Sequence, residues 1–355
     1  MGDSINRRIK AFRQELDRHK IDAALITKRE NYIYLSGFNG SFAYLVITET
    51  KAILVTDFRY AQQAKRQAPH YKIVENKDKL KDIINPQNIG TLGFEGGHLT
   101  YKQYTELVER FGAKKVEPLT EIVEKLRMCK DSTEIDYIKK AVKIADGAFD
   151  HILGKIRPGM KENEVAAELE YFIKKQGAKG VSFETILASG FRSALPHGVA
   201  QDKTIKWGDT VTMDFGAIFK DYCSDMTRTI FMGEPQKELL KVYDIVLEAQ
   251  QYAIRAAQKG RSGKDIDFVA RQIIKEAGYG EYFGHGLGHG VGLEIHEEPR
   301  LSQRGNVLMD DGMVVTIEPG IYIPELGGVR IEDMIVINEN EPLILTTSGK
   351  EITIV

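Results

Sequence analysis

The chain has 355 residues, which is long enough for two domains and for a sizeable core without disulfide support. Its 49 basic and 51 acidic residues leave a formal charge of -2, which provides no field for holding nucleic acid or an anionic membrane. Only two cysteines and no apolar run of bilayer length are present, so neither a disulfide framework nor a membrane span is expected. The amino-terminal residues are basic with no apolar stretch behind them, and we therefore expect no secretory signal and a cytoplasmic location.

The first part of the chain predicts an alternation of helices and strands. Helical spacing of apolar residues and short apolar runs give the following order: a helix at 9–16, strands at 23–26, 42–47 and 52–56, a helix at 59–68, and strands at 73–74 and 91–94. This alternation is typical of one small α/β domain, which we place at residues 1–125.

A long amphipathic helix is predicted to open the second domain, residues 126–355. Asp131 is an acidic N-cap candidate and Glu134 follows three positions later, which is the pattern of a capping box. Apolar residues then recur every three or four positions from Ile135 to Ile152.

The second domain contains an internal repeat. Apolar positions and a helix-ending glycine recur at a constant separation of 101 positions, in the pairs Val165/Ile266, Ile173/Ile274 and Gly177/Gly278. A strand pattern at 208–214 recurs at 312–318, and each copy ends on an acid. A further pair of acids, Asp225 and Glu332, follows on the next predicted strand of each half. The agreement of helix, stop, strand and acid in the same order predicts a duplicated unit.

The paired acids have the chemistry of a metal site. Asp214 and Glu318 interrupt apolar strand patterns, where a charge is costly unless it is paired. A turn cap or an arginine partner is the structural alternative for any one of them. Four carboxylates that converge would instead be neutralised by two divalent cations.

Two histidines, His285 and His289, lie in a run with glycine at alternate positions, residues 284–292. So many glycines argue against a zinc-binding helix and favour extended chain with close backbone approach. A phosphate-binding loop is the alternative, but the run lacks the lysine and hydroxyl residue of a P-loop. Carboxylates with one imidazole favour Mn²⁺, Co²⁺ or Zn²⁺ over a thiolate-bound structural zinc.

Seven motifs together resemble the signature of the pita-bread metallopeptidases. They are Pro196-His197-Gly198, Asp214-Phe215-Gly216, residues 224–229, the glycine-histidine run, His296-Glu297, Ile317-Glu318-Pro319-Gly320 and residues 328–333. Within that family the chain is similar to the Xaa-Pro peptidases prolidase and aminopeptidase P, and residues 31–38 and 56–60 resemble their amino-terminal domain. The resemblance implies an α+β fold, in which a pita-bread catalytic domain with internal pseudo-twofold duplication follows a smaller α/β domain.

The resemblance also implies a ligand set. Asp214, Asp225, His289, Glu318 and Glu332 match the ligands of two divalent metal ions per subunit. Mn²⁺ is the first expectation, with Co²⁺ and Zn²⁺ as alternatives. A hydroxide that bridges the two ions would attack the carbonyl carbon of the peptide bond preceding proline.

Five residues are expected to act in catalysis by the same resemblance. Glu318 would accept the proton of the nucleophile and pass it to the proline nitrogen. His197, His285 and His296 match unliganded histidines that line the site, and His296 or His197 would donate a hydrogen bond to the oxyanion. Arg330 is expected to orient the metal ligand two positions further along its strand.

The implied substrates are short peptides with proline at the second position, and the implied assembly is a homodimer whose amino-terminal domain serves substrate access and oligomerisation. Prolidase and aminopeptidase P stay open, because Pro299-Arg300 resembles the former and residues 56–60 the latter. The alternatives are an inactive pita-bread module that binds proteins, a creatinase-like hydrolase without the metal ligands, and another aminopeptidase of the fold. The intact ligand set argues against the first two, and the extra domain argues against methionine aminopeptidase.

Overall fold

The computed structural model describes residues 2–75, 89–111 and 113–355. The chain divides into two compact units, Met1–Arg127 and Met128–Val355. Across the described ranges, none of the helices combines the length and the apolar character that crossing a bilayer requires.

The first unit is built on a six-stranded sheet of order β4-β3-β2-β1-β5-β6. Its strands are β1 (Ala23–Ile26), β2 (Tyr44–Thr48), β3 (Ala52–Val55), β4 (Lys72–Val74), β5 (Thr91–Glu95) and β6 (Lys115–Leu119). Its helices are α1 (Gly2–Arg18), α2 (Arg29–Ser36), α3 (Ala61–Gln67), α4 (Tyr101–Phe111) and α5 (Ile122–Met128). Strand β1 is parallel to β5 and antiparallel to β2, so the sheet is mixed.

Most elements of this unit lie where the apolar runs predict them, but the sequence pattern does not predict α2, α4, α5 or β6. Helix α2 buries six consecutive residues and includes two tyrosines and an isoleucine, so no amphipathic period marks it. Strand β6 contains Pro118, which argues against a central strand. The strand is at the edge of the sheet, where a missing N–H is tolerated.

The second unit combines four helices with several small sheets in the described residues. The helices are α6 (Ser132–Leu153), α7 (Glu162–Lys175), α8 (Lys237–Ala256) and α9 (Gly263–Glu276). The strands of its first half are β7 (Gly180–Val181), β8 (Ile186–Ser189), β9 (Thr210–Phe215), β10 (Ala217–Phe219), β11 (Tyr222–Cys223) and β12 (Met226–Phe231). Those of its second half are β13 (Gly288–Gly290), β14 (Glu297–Leu301), β15 (Val314–Ile317), β16 (Gly320–Ile323), β17 (Gly327–Arg330), β18 (Asp333–Val336) and β19 (Leu343–Ile344).

Helix α6 begins at the predicted capping box. The Glu134 backbone N–H donates to Asp131 Oδ1 at 3.0 Å, and the Asp131 N–H donates to Glu134 Oε2 at 2.9 Å. These two bonds satisfy donors that the first helical turn would leave free. The apolar stripe from Ile138 to Ile152 is buried, as the spacing predicts.

The two halves of this unit repeat the same order of elements. Helices α7 and α9 are both 14 residues long, and their bounds differ by 101 positions. Gly177 and Gly278, which follow them, have the same φ of 91°. Strands β8 and β9 pair in one half and β13 and β15 in the other, with Ser189 opposite Val211 and Gly290 opposite Val315. The repeat predicted from the sequence is therefore present in the fold.

Candidate metal centre

All nine residues that the sequence singles out line one cavity of about 490 Å³ in the second unit. Asp214 lies in β9, Asp225 directly precedes β12, His289 lies in β13, Glu318 directly follows β15 and Glu332 lies between β17 and β18. Strand β9 pairs with β12, and β15 pairs with both β13 and β18. The donors therefore come from strands and strand ends of both halves.

The donor atoms are close enough to share a cation. One ligand atom each from Asp225, His289 and Glu332 can be chosen so that all three lie within 4.8 Å of one another. His289 Nε2 lies 3.3 Å from Glu318 Oε1 and 3.6 Å from Asp225 Oδ2.

Two carboxylate oxygens of the cluster indicate whether a cation fits the site. Asp214 Oδ1 and Asp225 Oδ1 are buried and have no hydrogen-bond partner among the described residues. Buried acceptors without a donor are costly and rare in folded proteins. A divalent cation would satisfy both oxygens, and hard carboxylate donors with one imidazole suit such an ion.

Three acids of the cluster have raised pKa values. Burial, followed by the charges of Glu332 and Asp214, raises the pKa of Asp225 well above its ordinary value. Burial, followed by the charges of Glu318 and Asp214, does the same to the pKa of Glu332. Burial also raises the pKa of Asp214, against the opposing charge of Arg330. Because carboxylate ligands bind a cation in their ionised form, any proton held on these acids must leave when a cation binds.

Glu318 is the acid that stays ionised. Burial opposes its ionisation, but the hydrogen bond and charge of His289 outweigh that effect and lower the pKa of Glu318 to about 2. Thr316 Oγ1 donates to Glu318 Oε1 at 3.2 Å and accepts from the backbone N–H of His289 at 3.1 Å. The Glu318 carboxylate therefore carries no proton of its own and has oxygens that can receive one.

Arg330 contacts a different acid from the one the sequence predicts. Its Nη2 donates to Asp214 Oδ2 at 2.7 Å, whereas the predicted partner was Glu332. Arg330 ends β17 and Glu332 lies beyond that strand, so the two residues do not share a strand face. The link to Glu332 is indirect, because Arg330 Nε donates to Thr227 Oγ1 at 3.0 Å, and Thr227 donates to Glu332 Oε2 at 2.7 Å.

The three other histidines of the cavity differ in their surroundings. His285 is largely enclosed, and burial lowers its pKa. His296 packs its ring against that of His289, with centroids 4.4 Å apart, and burial followed by the charge of His289 lowers its pKa. His197 lines the cavity next to Pro196. Lowered pKa values keep His285 and His296 neutral near pH 7, so that each can donate one hydrogen bond.

Tyr322 is a site residue that the sequence does not reveal. Its hydroxyl accepts from Arg330 Nη1 at 2.8 Å and lies 2.9 Å from His285 Nε2. Burial raises the pKa of Tyr322 to about 12, so the hydroxyl stays protonated and can donate a hydrogen bond to His285. Only the hairpin register, in which Gly320 faces Arg330, brings the tyrosine here. Thr227, by contrast, lies within a quoted motif and could have been examined from the sequence.

The chain matches two protein families. Residues 136–339 match metallopeptidase family M24, and residues 8–129 match the creatinase/prolidase N-terminal domain. The protein belongs to metallopeptidase family M24 and is a metallopeptidase.

Relatives over the full length include peptidases that act next to proline. The Xaa-Pro dipeptidase of Pyrococcus horikoshii is 44% identical, over 99% of this chain and 99% of that protein. The structure of the Xaa-Pro dipeptidase from Bacillus anthracis is similar with a TM-score of 0.96 and 46% identity, covering 99% of this chain and 100% of that chain. The X-Pro aminopeptidase from Thermotoga maritima has a TM-score of 0.91 and 43% identity, covering 96% and 100%. The expected pita-bread fold preceded by a smaller α/β domain is confirmed.

Proposed function

We propose that this metallopeptidase hydrolyses the bond between an amino-terminal residue and proline, and that two divalent cations are held by the five-donor set: Asp214, Asp225, His289, Glu318 and Glu332. The observation that carries this proposal is the pair of buried, unpartnered oxygens on Asp214 and Asp225 within the cavity. The proline specificity is supported by the relatives named Xaa-Pro dipeptidase and X-Pro aminopeptidase. The oxygen-rich donor set favours Mn²⁺.

The protein's own side chains divide the remaining work. When bound, the cations would polarise the scissile carbonyl as Lewis acids. They would also lower the pKa of water, so that hydroxide is available as the nucleophile at neutral pH. Glu318, ionised beside His289, accepts the proton of the attacking water and delivers it to the proline nitrogen. His296 or His197 donates a hydrogen bond to the developing oxyanion.

Arg330 and His285 complete the site through one hydrogen-bonded chain. Arg330 orients Asp214 directly, and Tyr322 joins Arg330 to His285.

Proline has no N–H, so enzymes that recognise an extended backbone by hydrogen bonds cleave the bond before proline poorly. None of the roles proposed for the side chains of this site requires a backbone N–H on the residue after the scissile bond.

A dipeptide is the substrate that the cavity favours. Arg300 lines the cavity, is exposed, and makes no ion pair or side-chain hydrogen bond among the described residues. Arg330, the other cavity arginine, is buried and engaged by Asp214 and Tyr322. We assign Arg300 to the carboxylate of a carboxy-terminal proline, because a guanidinium can bind a carboxylate through two parallel bonds.

A paired assay tests both parts of the proposal. Ala-Pro and a longer peptide that begins Ala-Pro-Pro are offered with Mn²⁺, and release of each amino-terminal residue is followed. We expect efficient cleavage of Ala-Pro, loss of activity with a chelator and recovery with Mn²⁺. Equal cleavage of both peptides would contradict the dipeptidase assignment, and activity that survives chelation would contradict the metal mechanism.

The Arg300→Met variant sharpens the same assay. We expect the KM for Ala-Pro to rise about 10- to 100-fold, the usual scale for removing one charged hydrogen-bond partner, with kcat changed less. Cleavage of the longer peptide should change little. A similar rise in KM for both peptides would mean that Arg300 does not read the terminal carboxylate.

We also propose a cytoplasmic homodimer, in which the unit Met1–Arg127 serves substrate access and oligomerisation. The proposal is supported by the match of residues 8–129 to the creatinase/prolidase N-terminal domain and by the composition of the chain. Light scattering coupled to size exclusion should give twice the chain mass of 40.0 kDa. A monomer at micromolar concentration would contradict it.

A further inference from the structure

The glycine-histidine run has no room for side chains at two of its glycines. A Cβ on Gly288 would lie 2.0 Å from the carbonyl oxygen of Thr316, and one on Gly290 would lie 2.3 Å from that of Glu298. Glycine is therefore required by the close approach of neighbouring backbones. Glycine also loses the most conformational freedom on folding and contributes no packing of its own. Packing of the segment that carries His285 and His289 therefore comes from its buried side chains Phe283 and Leu287, and hydrogen bonds from outside add to it.

Helix α9 supplies these hydrogen bonds through an ion pair one turn apart, Asp267 and Arg271. Arg271 Nε donates to Asp267 Oδ2 at 2.8 Å, and the Asp267 side chain is only 1% exposed. The pair faces the backbone of residues 283–287. Arg271 Nη1 donates to the Phe283 carbonyl at 2.9 Å, and Nη2 donates to the His285 carbonyl at 2.8 Å.

The carboxylate of the pair completes the hold. Asp267 Oδ1 accepts from the Leu287 N–H at 3.1 Å. The carbonyl of Leu287 accepts in turn from the Glu318 N–H at 2.8 Å. Three hydrogen bonds from one helix therefore fix the backbone on both sides of His285, and the last of them leads to the position of Glu318.

The first half of the unit does not share this arrangement. Ala166 and Glu170 of α7 stand 101 positions before Asp267 and Arg271, and alanine cannot form an ion pair. Glu170 Oε1 instead accepts from Thr185 Oγ1 at 3.0 Å. The ion pair is thus not required by the repeated helix, and it occurs in the half that contributes His285 and His289.

We propose that Asp267 and Arg271 form a clamp of positioning residues for peptide hydrolysis. The clamp holds the backbone of residues 283–287 so that His285, His289 and Glu318 keep their mutual geometry. The inference rests on the proposed function for its effect on turnover, whereas the hold on the segment stands on geometry alone. Displacement of reacting groups by about 1 Å is enough to cost up to about 10²-fold in rate.

The test uses Arg271→Lys in the full chain, with Glu170→Gln as the matched control from the first half. Lysine keeps a charge beside Asp267, but as a point donor it cannot span two carbonyls as the planar guanidinium does. Hydrogen exchange of the segment 283–290 in the metal-free protein reports the hold directly. Steady-state kinetics on Ala-Pro with saturating Mn²⁺ report its consequence.

We expect Arg271→Lys to raise exchange of this segment about tenfold or more and to lower kcat about 10- to 100-fold, with KM changed less. Glu170→Gln should change neither by more than about twofold. Unchanged exchange and turnover in Arg271→Lys would overturn the clamp. An equal rise in exchange throughout the unit would also overturn it, because the role would then be general stability.

Asp267→Asn provides a second variant should Arg271→Lys fold poorly. Asparagine keeps an oxygen for the Leu287 N–H but loses the ionic bond to Arg271, so we expect a smaller rise in exchange in the same segment. No rise would overturn the proposal. If the wild-type enzyme does not cleave Ala-Pro, the proposed function fails, and the exchange measurement still decides whether the clamp holds the segment.

Discussion

The two halves of the second unit share one backbone plan but contribute differently to the cavity. Strands β8 and β13 occupy corresponding places, with Ser189 opposite Val211 in one half and Gly290 opposite Val315 in the other. The residue before each is Ala188 in the first half and His289 in the second. A repeated scaffold therefore fixes where donors can stand, and the identity of a single side chain decides which half supplies the imidazole.

The halves also differ in how the donor strands are supported. In the second half, glycines let β13 approach its neighbours closely, and the clamp from α9 holds the adjoining segment. In the first half, Leu187 and Ala188 of β8 are buried, so side-chain packing is available to hold the strand. In the second half the buried side chains that flank the strand, Phe283 and Leu287, supply packing, and the clamp adds hydrogen bonds to the same segment.

Replacing His289 should produce the largest loss. His289→Ala removes the proposed imidazole ligand and the partner of Glu318, so we expect kcat/KM to fall by about 10³-fold or more and metal content to drop. Ala188→Gly changes the corresponding residue of the first half and should alter kcat/KM by less than about twofold. Equal losses would mean that the halves contribute alike. Metal analysis after dialysis, with dipeptide kinetics, measures both.

Replacing His296 should affect turnover without affecting the metal. His296→Ala is expected to lower kcat by about 10²-fold, the usual scale for one donor to an oxyanion, while metal content stays that of the wild type. His197→Ala is the parallel change in the first half. If only one of the two lowers kcat, that histidine is the oxyanion donor. Unchanged turnover in both would exclude the role.

Arg330 supports an acid of the other half, and its conservative replacement tests that cross-support. Arg330→Lys cannot donate to Asp214, Tyr322 and Thr227 at once, so we expect metal affinity to fall about 10- to 100-fold. Tyr322→Phe removes one of these contacts and should cost less. Titration calorimetry with Mn²⁺ measures both variants. An affinity unchanged in Arg330→Lys would show that Asp214 needs no such partner.

The number of protons released on metal binding depends on one acid from each half, Asp225 and Glu332. The raised pKa values of Asp225 and Glu332 mean that the metal-free protein holds protons where ordinary carboxyls are ionised. Metal affinity should therefore rise with pH, by about tenfold per pH unit for each proton displaced. Calorimetry in two buffers of different ionisation enthalpy counts those protons, and Asp225→Asn should reduce the count. A heat independent of buffer would contradict the expectation.

The same raised pKa values affect the stability of the metal-free fold in the opposite direction. Metal affinity rises with pH, whereas the free energy of unfolding falls. A raised carboxyl pKa stabilises the metal-free fold below the ordinary carboxyl pKa, and that contribution is lost as pH rises through the raised values. Bound metal should remove this dependence, because both acids are then ionised. Denaturant unfolding of the metal-free and Mn²⁺-loaded protein across neutral pH compares the two slopes.

The sequence by itself determined the local structure wherever a short-range signal was strong. The capping box at Asp131, most strands of the first unit and the repeat in the second all follow from spacing or from apolar runs. The resemblance of the motifs to a known family also indicated the residues that line the cavity, whereas the pattern itself singled out acids such as Asp214 and Glu318 in apolar strands.

Tertiary structure alone decided which of those side chains meet. The partner of Arg330, the place of Tyr322 and the clamp of Asp267 and Arg271 depend on the register of one hairpin and on the packing of one helix against a glycine-rich segment. Helix α2 and strand β6 likewise owe their form to burial and edge position. Such contacts join residues far apart in the chain, and hydrogen-bond geometry within a few tenths of an ångström selects them, whereas sequence patterns report only neighbours and periods.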